Sequence, residues 1–418
     1  MHILFLTDNF PPEVNAPASR TFEHCSEWVN AGHEVTVITC APNFPKGKVF
    51  NGYRNKLKQV ERMNGIRVIR VWSYIAPNQG FGKRVLDYLS FMVAAIPAAI
   101  SVRRVDIIVG TSPQFFTACA AYLSGVFKRV PWIFELRDIW PESIRAVGAM
   151  RQSRVLDLLE KLELHLYRKA TAIVSVTRAF RDTLVRRGVP VEKIHVVTNG
   201  VDTSRFSPRE KDVELLRNLS LEGKFVVGYV GTHGMAHGLD TILDAASAIK
   251  RTPDGDRYRF MFLGDGATKS ALVDRAARER LNNVIFIDSV AKDQVARYWS
   301  LLDAAVIHLR QDELFKTVIP SKLFECMGMG IPILHGVEGE SAEIVKCEDV
   351  GVFFEPENAA DLRSAIEILA GDSALYQRLK ANGPTAAQRY DRKQLASSML
   401  GILERTAQSA AAKSQRTA

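Results

Sequence analysis

Short apolar runs and longer amphipathic stretches alternate along the chain, and they do so twice. In the first half, residues 3–7, 34–39, 67–71, 107–110, 132–135, 172–176 and 194–197 are brief and rich in Val and Ile. Between several of them, residues 18–31, 84–103 and 154–169 place apolar positions at helical spacing. Runs apolar on both faces, separated by amphipathic helices, predict parallel strands covered on both sides, because each crossover lays a helix on the sheet. After a polar stretch, TNGVDTSRFSPREKD, the pattern restarts at residues 225–229 and continues through 259–263, 284–287, 304–308, 332–334 and 351–354. The chain therefore reads as two doubly wound α/β domains, 1–205 and 206–388, with that stretch as linker and a helix at 389–407. Residues 408–418 are Ala, Ser, Gln and Lys without an apolar period, which predicts disorder. Residues 43–63 form a polar loop of a length that compact domains seldom carry without a use.

Composition changes this picture little, and charge changes it more. The 418 residues are 47% apolar and 24% charged, an ordinary globular balance. Residues 1–200 hold 27 Lys and Arg against 16 Asp and Glu, so the net +9 of the chain belongs to the N-terminal half. Arg54, Lys56, Lys58, Arg62, Arg67 and Arg70 precede the apolar segment 84–103, Lys83 and Arg84 open it, and Arg103 and Arg104 close it. An anionic membrane surface matches such a face, and a solvated basic face beside a core helix explains it equally. Nucleic acid is not expected, since no interleaved aromatic and basic platform occurs. The uncharged run 88–102 is 15 residues long and contains Pro97, whereas a spanning helix needs about 20. The start, HILFLTD, is a buried-strand pattern with no signal-peptide regions, so a cytoplasmic protein is expected. Cys25, Cys40, Cys119, Cys326 and Cys347 form no CxxC pair and read as reduced thiols.

The segment LFKTVIPSKLFECMGMGIPIL, residues 314–334, carries the most chemistry. Pro320 suits the opening of a helix, and Ser321, Lys322 and Leu323 then leave free amides at that end. Aligned amides and the helix dipole favour a phosphate, with Lys316 and Lys322 adding positive charge. Glu325 follows about one turn deeper among apolar neighbours, as a ligand-holding carboxylate or as one that answers the helix dipole or an ion pair. In FVVGYVGTHGMAHGLDTILDAA, residues 225–246, a strand ends at Gly231, a Gly-rich loop follows and a helix opens near Gly238. That topology cradles phosphate at the carboxyl edge of a parallel sheet. Neither this loop nor GDGATKS at residues 264–270 completes GxGxxG, so NAD is a weak reading. His233 and His237 lack further metal ligands and fit phosphate hydrogen bonding or capping. Asp254, Gly255 and Asp256 spell DxD, but KRTPDGDR is a turn composition. P-loop, zincin and serine-hydrolase motifs do not occur.

Taken in order, FPPE (10–13), ELRDIWPES (135–143), NGVD (199–202), GTHGMAHG (231–238), PSKLFE (320–325) and VEGESAEIV (337–345) resemble the family-4 retaining glycosyltransferases. Within that family the sequence is similar to the WbuB-like transferases of bacterial surface polysaccharide assembly. The resemblance implies a GT-B fold, in which two doubly wound Rossmann-like domains face across a cleft and a C-terminal helix returns to the N-terminal domain. The N-terminal domain would hold the acceptor and the C-terminal domain the nucleotide sugar, with no metal and no cofactor. Glu325 matches the second Glu of the family's Glu-x7-Glu motif and should bind the ribose hydroxyls, while Thr317 stands in the place of the first. Thr232 and His237 lie near the places of the usual Arg and Lys of the diphosphate loop, and Asn15 and Ala16 near those of a glycine pair. The implied donor set is Asn15, Gly231, Thr232, His233, Gly234, His237, Gly264, Gly266, Val290, Lys316, Thr317, Ser321, Lys322, Leu323 and Glu325. Arg20, Ser112, Arg137 and Asp138 form the implied acceptor set, and Asp138, Lys322 and Glu325 the catalytic one. Asp138 reads equally as a helix N-cap beside Trp140 and Pro141.

As the bond to the nucleotide breaks, negative charge grows on the diphosphate, so cations and amides must meet it there. The expected reaction moves a deoxy-acetamido sugar such as N-acetylfucosamine from UDP to a polyprenyl-diphosphate-linked saccharide, in O-antigen or capsule assembly. Its place would be the inner face of the cytoplasmic membrane, with peripheral attachment. A GT-B epimerase or hydrolase, and a non-catalytic membrane- or glycan-binding adaptor, are the alternatives.

Overall fold

The structure, a computed structural model, describes residues 1–44, 47–75, 81–139 and 154–417. The second half of ELRDIWPES, with Trp140 and Pro141, lies outside them. The chain divides into two compact units, Met1–Thr198 with the C-terminal helix, and Asn199–Asp391.

Every apolar run named above is a strand. The N-terminal unit contains β1 (His2–Leu6), β2 (Glu34–Cys40), β3 (Lys58–Met63), β4 (Ile66–Val71), β5 (Ile107–Thr111), β6 (Trp132–Leu136), β7 (Ala172–Ser175) and β8 (Ile194–Val196). They form one sheet in the order β3-β4-β2-β1-β5-β6-β7-β8, parallel except for the antiparallel pair β3–β4. Strand order reverses between β1 and β5, which opens a crevice at the carboxyl ends of the strands there. On one face Leu4, Leu6 and Ile38 pack with Phe91, Ala95 and Ala99 of the helix Phe81–Ser101. On the other, Phe5 and Val37 pack with Trp28 and with Met399 and Leu403 of the helix Arg392–Thr417. Trp28 Nε1 donates to the Ala396 carbonyl at 2.9 Å, fixing that helix to this unit.

β3 lies within the segment expected to be loop. Its residues KQVERM alternate between exposed and half-buried, too weakly apolar to stand out. The missed signal is the turn: Asn64 and Gly65 both have positive φ, 45° and 78°, the Asn-Gly chemistry of a two-residue hairpin. Arg70, assigned above to a basic surface, is 2% exposed. Its guanidinium donates to Glu61 Oε1 at 2.5 Å and to the carbonyls of Cys40 and Pro11.

The second unit is built from β9 (Phe225–Val230), β10 (Tyr258–Leu263), β11 (Val284–Ile287), β12 (Ala304–His308), β13 (Ile333–Gly336) and β14 (Gly351–Phe353). Their order is β11-β10-β9-β12-β13-β14, all parallel, so the reversal falls between β9 and β12. The stretch read as a linker belongs to this unit from Asn199 onward. Val201 is 0% exposed and Phe206 4%, and the Val201 amide donates to the Tyr390 carbonyl at 3.0 Å. Two apolar anchors in a polar run were too few to register as periodicity. The unit also reaches Asp391, past the boundary expected at 388.

Residues 408–417 continue the helix Arg392–Thr417 in place of the expected disorder. Ala, Gln and Lys are strong helix formers, and a helix already anchored by Met399 and Leu403 extends without a new nucleation cost. Among the described residues, Gly82–Ser101 is a helix long and apolar enough, by length and composition, to cross a membrane. The run 88–102 had understated its length. Its inner residues lie in the core, while Leu86, Val93 and Ile100 are 51%, 65% and 42% exposed.

Candidate functional site

The carboxyl edge of the second sheet is assembled from loops that pass closer than side chains allow. The Gly231 amide, just after β9, donates to the Leu263 carbonyl at 2.9 Å, and the Gly264 amide, just after β10, to that of Ile287 at 3.0 Å. Gly264 has φ 142°, and a Cβ there would stand 1.9 Å from the Gly231 carbonyl oxygen. Gly266 is similarly pressed on the His233 carbonyl, which also accepts from the Thr268 amide and hydroxyl at 3.0 and 2.8 Å. These two glycines thus serve backbone approach, whatever else meets them. From β12, His308 Nδ1 lies 2.8 Å from the His237 carbonyl, while Nε2 accepts from the Glu357 amide at 2.9 Å. The two bonds fix a neutral tautomer with the proton on Nδ1, donating to His237.

Within this frame Lys322 stands out. Its Nζ lies 3.7 Å from the centre of the Tyr229 ring, close beside Gly231. The nitrogen is buried and has no hydrogen-bond partner among the described residues. Burial pulls its pKa from 10.5 down to about 7, against the attraction of Cys326 and Glu325. His233 is fully buried, with neither ring nitrogen partnered among the described residues, and His237 leaves Nδ1 unpartnered. Burial, reinforced by Lys269 and Lys322, lowers His233 to about 4; burial and Lys322 lower His237 to about 3. Both imidazoles are therefore neutral at pH 7. One desolvated ammonium and two neutral imidazoles with unused hydrogen-bonding capacity lie together, and buried polar groups are rarely left so without a ligand. Tyr229, whose hydroxyl donates to the Thr232 carbonyl at 2.7 Å, carries the ammonium on its ring; its place at the end of an apolar strand gave no hint of that role.

The helix expected to open at Pro320 starts at Lys322, with Ser321 as its cap residue. The Leu323 amide donates to the Pro320 carbonyl at 3.0 Å and that of Phe324 to Ser321 at 3.2 Å. The tight first turn thus commits the Leu323 amide inside the chain, correcting its expected place at the diphosphate. Glu325, half-buried, follows three residues after Lys322 in the same first turn. Lys316 is held by Glu313 at 2.7 Å and Glu338 at 3.2 Å, so its charge is already answered. The Thr317 hydroxyl donates to the Leu314 carbonyl at 2.6 Å. Val290 packs against the core of the unit. Asp254–Asp256 lie in the turn leading into the amino end of β10, at the opposite edge from these loops. Among the described residues, no group of three His, Cys, Asp or Glu side chains is placed to hold a metal ion.

In the N-terminal unit, Ser112 organises the end of β6: its hydroxyl accepts from the amides of Arg137 and Asp138 at 2.7 and 3.1 Å. Arg137 keeps Nε and Nη1 buried and unpartnered among the described residues, and burial lowers it to about 10. Arg20, expected on the acceptor side, is engaged within the unit. It is 4% exposed, bonds Glu135 Oε1 at 3.0 Å and donates to the carbonyls of Thr198 and Val197 at 2.7 and 3.0 Å. Asn15 caps the helix Ala16–Asn30: its side-chain oxygen accepts from Ala18, and Nδ2 donates to Asn9. Its side-chain amide is thus occupied in the place where donor contact was expected.

Two Rossmann-like units with a phosphate-suited loop cluster define the GT-B class, and comparison with known proteins agrees. The Glycosyl transferase 4-like domain family matches residues 15–200, and the Glycosyl transferases group 1 family matches residues 212–386. The chain is a glycosyltransferase of GT-B fold, related to the family-4 and group 1 enzymes. It is 25% identical over 379 residues to the Escherichia coli K12 protein described as a putative colanic acid biosynthesis glycosyl transferase, WcaI, covering 88% of this chain and 91% of that one. Sucrose-phosphate synthase from Thermosynechococcus elongatus shares the fold with TM-score 0.76 at 16% identity, covering 97% and 98% of the two chains. HepE of Anabaena, solved with UDP and glucose, gives TM-score 0.71 at 17% identity over 96% and 99%.

Proposed function

We propose that the protein transfers a sugar from a nucleoside diphosphate, most simply UDP, to a lipid-linked saccharide during assembly of a surface polysaccharide, with retention at the anomeric carbon. The single observation that carries this reading is the unpartnered Lys322 ammonium on the Tyr229 ring, beside the glycines after β9 and β10. A diphosphate there supplies the counter-charge that the fold withholds. Lys322 then stabilises the negative charge that grows on the leaving group, acting more strongly because its nitrogen is buried. Glu325, in the first turn of the helix Lys322–Met329, is assigned to the ribose hydroxyls. Ser321 and Thr232 border the same loops, and Lys316, paired with two carboxylates, is left out of the role. On the acceptor side, Arg137 and Asp138 remain the candidates, positioned by Ser112. The UDP complex of the HepE neighbour and the colanic acid relative support the donor class and the setting. The sugar is proposed to be a deoxy-acetamido one, such as N-acetylfucosamine, and the polymer an O-antigen or capsule.

Attachment to an anionic membrane surface belongs to the same reading. Leu86, Val93 and Ile100 recur at intervals of seven on one exposed face of the helix Phe81–Ser101, and Val126 and Phe127 are also exposed. Lys128 Nζ donates to the Ile100 carbonyl, so these two groups meet. Lys83, Arg84, Arg103 and Arg104 flank the stripe, the arrangement of an interfacial rather than spanning helix. The transferase is tested by incubating the protein with labelled nucleotide sugars and membrane lipid extract. Lipid-borne label is expected and should vanish in Glu325→Ala, while free labelled sugar would make the protein a hydrolase and no turnover an adaptor.

A further inference from the structure

A cavity of about 240 Å³ opens within the N-terminal unit, lined among others by Asp8, Glu13, Arg84, Asp87 and Tyr88. It lies beyond the carboxyl ends of β1, β2 and β5, where the strand order reverses and such sheets receive ligands. None of the acceptor residues named above lines it. Glu13, the last residue of FPPE, is 4% exposed. Its Oε1 accepts from the amides of Asn43 and Phe44 at 2.7 and 2.9 Å, whereas Oε2 is buried and has no partner among the described residues. The nearby Arg70 attracts it through space but is itself bonded to Glu61 and to the carbonyls of Cys40 and Pro11. Burial raises both Glu13 and Asp87 to about 7 and also raises Asp8. Three carboxyl groups thus share a small space with the Arg84 guanidinium, which donates to the Tyr88 hydroxyl at 3.1 Å.

We propose that this cavity is a subsite for one neutral or amino-bearing sugar ring of the acceptor, with Glu13 Oε2 accepting a hydrogen bond from a ring hydroxyl or ammonium. Its size admits a single ring rather than a chain. Above about pH 7, where Glu13 and Asp87 are ionised and outnumber the single Arg84 guanidinium, this wall repels an anionic ring, so the subsite selects against uronic acids and phosphosugars. As an acceptor subsite it rests on the transferase reading; as a binding site it does not.

The test is saturation-transfer NMR on the full chain with three separate probes, D-glucose, D-glucosamine and D-glucuronate, alongside UDP titration. At about pH 8, where Glu13 and Asp87 are ionised, glucose and glucosamine are expected to bind and glucuronate to bind about tenfold more weakly or not at all. Glu13→Gln keeps an oxygen for the two amides and turns the unpartnered acceptor into a donor, so it should weaken binding about tenfold and leave UDP affinity unchanged. Asp87→Asn, on a different element, should weaken glucosamine more than glucose and serves if Glu13→Gln does not fold. No binding of any probe, preference for glucuronate, or binding indifferent to both substitutions overturns the proposal. Sugar binding without UDP binding would remove the transferase reading and leave the subsite standing.

Discussion

Lys322→Met separates a ligand-binding cation from a structural one, because it keeps the length and the apolar stem and removes only the charge. Burial lowers the ammonium from 10.5 to about 7. At about 1.4 kcal/mol per pH unit, holding the charged form in the folded chain costs about 5 kcal/mol. The Tyr229 face, 3.7 Å away, returns about 1–2 kcal/mol of that. The variant should therefore be more stable than the parent by about 3 kcal/mol at and below neutral pH. Because the folded pKa lies below the unfolded one, protonation favours the unfolded chain. The parent's penalty is full below about pH 7 and fades as pH rises toward 10.5, so the stability gap narrows over that window. Ligand binding moves the opposite way. Losing one desolvated charge partner of a diphosphate costs about 2–5 kcal/mol, roughly 30-fold to several thousandfold in UDP affinity. The parent's UDP affinity should also decline as pH rises above about 7, where the neutral amine no longer attracts phosphate, and the variant's should not. Urea unfolding across pH with calorimetric UDP titration measures both. A variant that is less stable yet binds UDP normally would refute the reasoning and make Lys322 a structural cation.

Other consequences are simpler. Arg20→Met leaves Glu135 buried at 1% exposure without its ion partner and frees the carbonyls of Val197 and Thr198. The loss should be about 3–5 kcal/mol in urea unfolding, and a change under about 1 kcal/mol would mean that this unit tolerates the orphaned carboxylate. Replacing Lys83, Arg84, Arg103 and Arg104 with Gln removes about 1 kcal/mol of surface attraction each. Affinity for anionic liposomes, read by co-sedimentation, should fall by roughly three orders of magnitude while UDP affinity holds; unchanged sedimentation returns the face to solvent.

The alternation of Val- and Ile-rich runs with amphipathic helices determined the fold class by itself. A strand buried on both faces has to be apolar throughout, and such runs are legible one at a time. The loops at the carboxyl edge of the second sheet were legible too, since Gly231, Gly264 and a helix after a strand are local signals. β3 escaped because an edge strand is half solvated, and the C-terminal tail because helix propensity was outweighed by the lack of an apolar period. Tertiary structure alone decided which charges are available. Arg20, Arg70 and Lys316 look like Lys322 in a string of letters, yet the first three meet carboxylates and Lys322 meets an aromatic ring. Glu13 becomes a candidate ligand only because Arg70, far along the chain, is bonded to other groups. Periodicity records what a residue does for its own element. Whether a buried charge is satisfied depends on groups that only the folded chain brings within a few ångströms.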